Sequence, residues 1–149
     1  MKKGFALLLT VLIISVVLAS ALTAYNLIRG EIMLSSGASA SQVAFYAARS
    51  GNECVRFWEF KHPGYTVSAF DITPPARSIT CSGLPFTVGG SSDQNKFSIQ
   101  FGTNSCTNVT VTKDTPPSIK ITVESQGQNT VPCTTQDSRT AQRGLYEYY

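Results

Sequence analysis

The sequence predicts an α+β fold, in which one long amino-terminal helix, transmembrane along its first half and amphipathic along its second, packs on an antiparallel β-sheet. Three observations predict it. An apolar run without a charge extends from Phe5 to Ile28 behind Met1-Lys2-Lys3-Gly4. Beyond it, small and apolar residues recur at helical spacing as far as Trp58. From Pro63 onward the chain changes to Thr, Ser, Gly, Pro and β-branched residues in short alternating runs.

The first element is set by length and charge. At about 1.5 Å per residue, the run to Ile28 reaches roughly 36 Å, enough to cross a hydrocarbon core of about 30 Å with some tilt. Lys2 and Lys3 hold the short end in the cytoplasm by the positive-inside rule, which places everything after Arg29 outside. The expected parts are a basic leader at 1–4, a transmembrane half-helix at 5–28, an amphipathic half-helix at 29–61 and a disulfide-tied sheet domain at 62–149. That makes a single-pass cytoplasmic membrane protein with an extracytoplasmic carboxy-terminal domain. Two other readings of the start stay open. A secretory signal peptide would be cut near Ala19-Ser20-Ala21, and a plain anchor would not be cut at all.

Past the membrane run, Ala44, Ala47, Ala48, Gly51, Cys54, Val55 and Trp58 form a one-sided stripe at three- and four-residue steps. The stripe is small at its start, which lets a sheet approach closely, and large at its end, where Val55 and Trp58 fill a wider gap. Between the two halves, Ser35-Ser36-Gly37-Ala38-Ser39-Ala40-Ser41 is poor in strong helix formers apart from its alanines, and Gly30 adds a second weak point. One interrupted helix from Phe5 to about Lys61 is expected, stopped by Lys61-His62-Pro63-Gly64.

Strands follow. The segments 77–81, 96–101, 108–112, 118–124 and 141–148 alternate as half-buried strands do, and Lys113-Asp114-Thr115-Pro116-Pro117 joins two of them as a hairpin loop. Four to six antiparallel strands, one face on the helix and one in water, make the simplest architecture. So small a domain is marginal without cross-links. Cys54, Cys81, Cys106 and Cys133 supply them, all on the side of the membrane where disulfides persist. Four cysteines allow three pairings. The preferred one is local: Cys54 with Cys81 ties the helix end to the first strand, and Cys106 with Cys133 closes the hairpin near Pro116. Each bridge contributes about 2–4 kcal/mol. No metal site is read here, because structural zinc wants closely spaced Cys and His pairs.

Charge excludes little else. Twelve Lys and Arg face nine Asp and Glu, and loss of Lys2 and Lys3 would take the net charge from +3 to +1, so no nucleic-acid surface is implied. Arg56-Phe57-Trp58 and Lys61 read as the helix end, and the sequon Asn108-Val109-Thr110 as incidental. No cofactor is expected, and no enzyme. The sole histidine, His62, sits at the helix stop in a capping position, and no nucleophile elbow, paired-histidine metal motif or phosphate loop occurs. Glu53 and Glu59 lie on a helix expected to be half exposed, without a second acid at suitable spacing. A membrane-anchored or secreted adhesin or binding module, its loops carried on a disulfide-tied β domain, is the alternative to the reading below.

A lysine-rich leader ending in Gly4, followed at once by Phe5 and a stretch of Leu, Val and Ile, resembles the leader of type IV pilins and pseudopilins. The resemblance implies a pilin-like fold, cleavage after Gly4 by the prepilin peptidase and methylation of the new amine on Phe5. Its implied partners are other pilin subunits, the pilus assembly platform, and membrane lipid before assembly into an extracellular filament. Most members place a glutamate as the fifth residue after the cut, where this chain has Leu9. A subunit lacking that acid suits the tip, or a rare position, since its Phe5 amine remains available to the acid of the subunit entering beneath it. The stretch from Glu31-Ile32-Met33-Leu34 through Ala44-Phe45-Tyr46-Ala47-Ala48-Arg49-Ser50-Gly51 resembles the amino-terminal region of minor pilins of the PilX kind, which carry an Ala-Phe-x-Ala-Ala-Glu-x-Gly-like run, with Arg49 followed by Ser50 where that run has its acid. The implied function is a structural minor pilin or pseudopilin of a type IV pilus or a type II secretion-like filament.

Overall fold

The computed structural model describes residues 2–61, 68–70, 77–91, 94–114, 120–134 and 140–149. The helix stop at His62-Pro63-Gly64, the hairpin tip Thr115-Pro116-Pro117 and the strand start Ser118-Ile119 lie outside the described residues. Two compact units divide the chain, Met1–Ala38 and Ser39–Tyr149. One helix, α1 (Lys2–Phe60), contributes to both.

α1 corrects the expectation of an interruption: Gly30 and residues 35–41 are helical throughout, and the helix begins at Lys2 rather than Phe5. Alanines carry the weak stretch. The Ser36 hydroxyl donates to the Met33 carbonyl at 2.9 Å, so it is satisfied along the helix instead of competing with it.

In the second unit six strands follow in sequence order, each antiparallel to the next: β1 (Arg77–Cys81), β2 (Leu84–Ser91), β3 (Gln94–Phe101), β4 (Ser105–Lys113), β5 (Ile121–Gln128) and β6 (Gln142–Tyr148). The sequence reading missed β2, because Pro85 and Gly89-Gly90 look like turn signals. Its turn is the two-residue Ser82-Gly83, with Cys81 opposite Leu84 and both turn residues at positive φ (52° and 77°). That is the type I′ geometry suited to the twist of paired strands. Pro85 is tolerated because it stands opposite Thr80 in a position whose N–H would point away from β1, where β3 does not pair.

Burial follows the pleat. On β3, Asn95, Phe97 and Ile99 face inward while Lys96, Ser98 and Gln100 face out. Val109 and Val111 of β4 and Ile121 and Val123 of β5 complete the inner face, with Ile79 of β1 and Val88 of β2. The helical stripe meets them as the spacing requires: Ala44, Ala47, Ala48, Gly51, Cys54, Val55 and Trp58 are all buried. Contact is closest at β5, where a Cβ on Gly127 would fall 2.0 Å from the Ala44 carbonyl oxygen. β6 departs from the half-buried pattern expected of it, being exposed except at the partly covered Leu145. It is the sheet edge, paired only with β5.

Polar groups enter this joint too. Asn52, Thr107 and Ser125 are buried with side-chain atoms that find no hydrogen-bond partner. Thr107 and Ser125 flank Gly51 across the interface. Two disulfides hold the unit, Cys54 to Cys81 between α1 and β1 and Cys106 to Cys133 across the open end of the β4–β5 hairpin.

Candidate functional site

The first unit is helix alone. Gly4 and Phe5 lie in its opening turns, Phe5 is 71% exposed, and Leu9 is 46% exposed amid equally open apolar neighbours. α1 contains a stretch long and apolar enough to cross a membrane. Four serine and threonine hydroxyls interrupt that stretch, and each donates to a carbonyl one turn back: Thr10 to Leu7, Ser15 to Leu12, Ser20 to Val17 and Thr23 to Ala19, at 2.8–2.9 Å. None of these four presents an unsatisfied donor to a surrounding hydrocarbon, which is the condition for polar side chains to be tolerated there.

In the second unit, α1 has one face on the sheet and one outward. The outward face carries Phe45, Tyr46, Phe57 and Phe60, all exposed. Arg49 and Glu53 pair loosely at 3.8 Å on that face. A groove of about 520 Å³ runs between Tyr46, Arg49, Ser50, Glu53 and Phe57 of the helix and Thr80, Cys81 and Ser82 of the β1–β2 turn, with Cys54 in its floor. The indole N–H of Trp58 donates to the Thr80 carbonyl at 3.0 Å, fixing β1 beside the helix. Farther along, Glu53 and Phe57 also border a hollow with Arg56, Phe60 and Lys61.

Glu59 is not the half-exposed acid the sequence suggested. Its carboxylate meets the Lys113 ammonium at 2.8 Å, both side chains are only 10–11% exposed, and Ser68 bonds to both. The pair joins the end of α1 to the end of β4, and the Ser68 hydroxyl also accepts the Phe70 N–H. In the sequence these are only a lysine closing an alternating strand and a glutamate beside the last core aromatic, which no local pattern joins.

Tyr149 packs edge-on against Phe60 and donates to Glu147. Burial first, then the Glu147 hydrogen bond, push its phenol up to about 12. Tyr146 is raised as well, chiefly by its hydrogen bond to Glu124. Arg143 reaches from β6 to the Ser41 hydroxyl at 2.7 Å and ties the sheet edge to the helix.

Among the described residues no group of three or more His, Cys, Asp or Glu side chains converges as a metal site would, and His62 lies outside them. Asn108 sits in mid-strand on β4, its amide oxygen accepting from Ser98 and its nitrogen donating to the Cys133 carbonyl, so the sequon is folded into the sheet. What each unit offers is surface: an exposed apolar helix in the first, and an aromatic helix face with a groove in the second. Compared with protein-family models, curated proteins and solved structures, the chain has no match.

Proposed function

We propose that this chain is a filament subunit of the type IV pilin and pseudopilin kind, and a minor one. A single observation carries the reading. One unbroken helix is apolar and exposed along its first unit and, after residue 38, lays a stripe graded from small to large on an antiparallel sheet. Such a helix is stable in lipid before assembly and among other helices afterwards, because both surroundings are apolar. The Lys-Lys-Gly-Phe junction supplies the processing site, with cleavage after Gly4 and methylation of Phe5. Leu9 in place of the usual acid assigns the subunit to the tip or to initiation, since an added subunit would lack the carboxylate partner for its neighbour's amine.

Mass spectrometry of the mature protein tests this. A chain beginning at methylated Phe5 is expected, and a bulky residue at Gly4 should leave the precursor in the membrane. A mature terminus near Leu22 would overturn the reading in favour of a secreted module.

A further inference from the structure

We infer that the β1–β2 hairpin is a clamp on α1 held shut by the Cys54–Cys81 bridge, and that this bridge is an exchangeable thiol–disulfide site while Cys106–Cys133 is a permanent staple. Among the described residues the hairpin is joined to the rest of the sheet over a short span. β3 pairs with β4, and β4 with β5, along eight residues each, whereas β2 meets β3 through the three described pairs at Gly89, Gly90 and Ser91. Gly90 stands at φ 141°, a conformation that favours glycine, and a Cβ there would strike the Gln94 carbonyl oxygen at 2.0 Å. Glycine there leaves the junction the backbone freedom to turn once the bridge is open. On the far side, the hairpin is held to α1 by the disulfide, by the Trp58–Thr80 hydrogen bond and by Ile79 and Val88 in the core.

The two bridges differ in what surrounds them. Cys54 and Cys81, 8% and 7% exposed, both border the groove at Tyr46 and Phe57, which admits a small thiol. Cys106 is fully buried in a strand paired on both sides, so opening its bridge would free no separate element. The reductant is a dithiol. Its thiolate attacks one sulfur of Cys54–Cys81, the other leaves as a thiolate and takes a proton, and the second thiol of the reductant displaces the mixed disulfide. The protein gains two thiols and the reductant becomes a disulfide. Ile79 and Val88 still favour the closed hairpin, but it can then open locally, carrying away one wall of the groove while β3 to β6 stay folded. This goes beyond the filament reading and does not depend on it.

The test uses the full chain in detergent micelles under graded dithiothreitol. Differential alkylation with mass spectrometry reads the order of reduction, and hydrogen exchange reads the opening. Expected are labelling of Cys54 and Cys81 before Cys106 and Cys133, and an exchange rate in β1 and β2 raised about tenfold or more with β4 and β5 unchanged. Cys54→Ser with Cys81→Ser should reproduce that exchange pattern without reductant. Simultaneous reduction, the reverse order, exchange spreading into β4 and β5, or no change in β1 and β2 would each overturn the inference.

Discussion

Gly127→Ala tests the approach of α1 to β5. The added Cβ would lie 2.0 Å from the Ala44 carbonyl oxygen, 2.5 Å from the Ala48 nitrogen and 3.0 Å from the Ala48 Cβ, where ordinary contact begins at 3.4 Å. The two nearest obstacles are backbone atoms, so no rotamer change relieves them, and restoring ordinary contact at 3.4 Å from 2.0 Å means that helix and strand part by about 1.4 Å. A gap of only about 0.5–1 Å already forfeits a quarter to a half of each dispersion contact it opens. Overpacking costs about 1–3 kcal/mol, and immovable backbone puts this case at the upper end, about 3 kcal/mol. At roughly 4 °C per kcal/mol for a unit of this size, melting should fall by about 12 °C.

Gly51→Ala is the control. Its Cβ would meet only side-chain atoms, Val109 Cγ2 at 2.8 Å, Ser125 Oγ at 3.0 Å and Thr107 Cγ2 at 3.1 Å. Alanine also gains about 1 kcal/mol of helix propensity over glycine, leaving a net loss of about 1 kcal/mol. Thermal unfolding of the full chain in micelles, followed through Trp58, the sole tryptophan, reads both variants. A Gly127→Ala loss no larger than that of Gly51→Ala would refute the close approach.

Three further outcomes are expected. Lys113→Met or Glu59→Gln should each cost about 3 kcal/mol by stranding a buried partner, whereas the double variant should cost less than their sum in urea unfolding; strict additivity would show that the pair is not coupled. Because the Tyr149 phenol is held up to about 12 in the folded chain, above its ordinary value, its contribution to stability is complete below about pH 10 and is lost as pH rises through about 12. Tyr149→Phe should flatten that alkaline decline and remove a phenol ionising near 12 from a tyrosinate absorbance titration. Leu9→Glu should raise incorporation of the subunit along filament shafts, counted by mass spectrometry against an acid-bearing pilin; unmodified protein found as the repeating subunit of purified filaments would refute the minor assignment.

The legible parts of the fold were those governed by period. The stripe from Ala44 to Trp58 lies on the sheet residue for residue, and β1 keeps its expected bounds. Disulfide pairing was readable because the local pairs also link consecutive elements, and the structure forms those same two bridges. β2 was hidden because proline and paired glycines usually punctuate, and only the unpaired side of β2 makes Pro85 harmless. Asn52 was hidden within an otherwise apolar face. The Lys113–Glu59 pair was illegible for a different reason: 54 residues separate its partners, and no local pattern fixes the register that brings β4's end to the end of α1. The groove shares that difficulty, since one wall comes from a turn whose position depends on β2.

A helix apolar enough to cross a membrane that also packs on a sheet faces contradictory demands. Lipid asks for apolar side chains all round and for every hydroxyl to be satisfied internally, which Thr10, Ser15, Ser20 and Thr23 achieve by bonding one turn back. A sheet asks for one smooth face, which Ala44, Ala48 and Gly51 provide at the cost of apolar surface for lipid. Residues 35–41 belong to neither regime: too polar to remain in hydrocarbon, too small to fill a core, yet rich enough in alanine to stay helical. Their position at the division between the two units follows from that composition. The same division explains why Leu9 matters. For a filament subunit with no charge between Phe5 and Ile28, leaving lipid for a bundle of apolar helices would strand no carboxylate, and packing there would gain no electrostatic register. On the filament reading, such a subunit brings no acid for a neighbour's amine, yet its own Phe5 amine can still receive the acid of the subunit that follows, which is the property an initiating or terminal position requires.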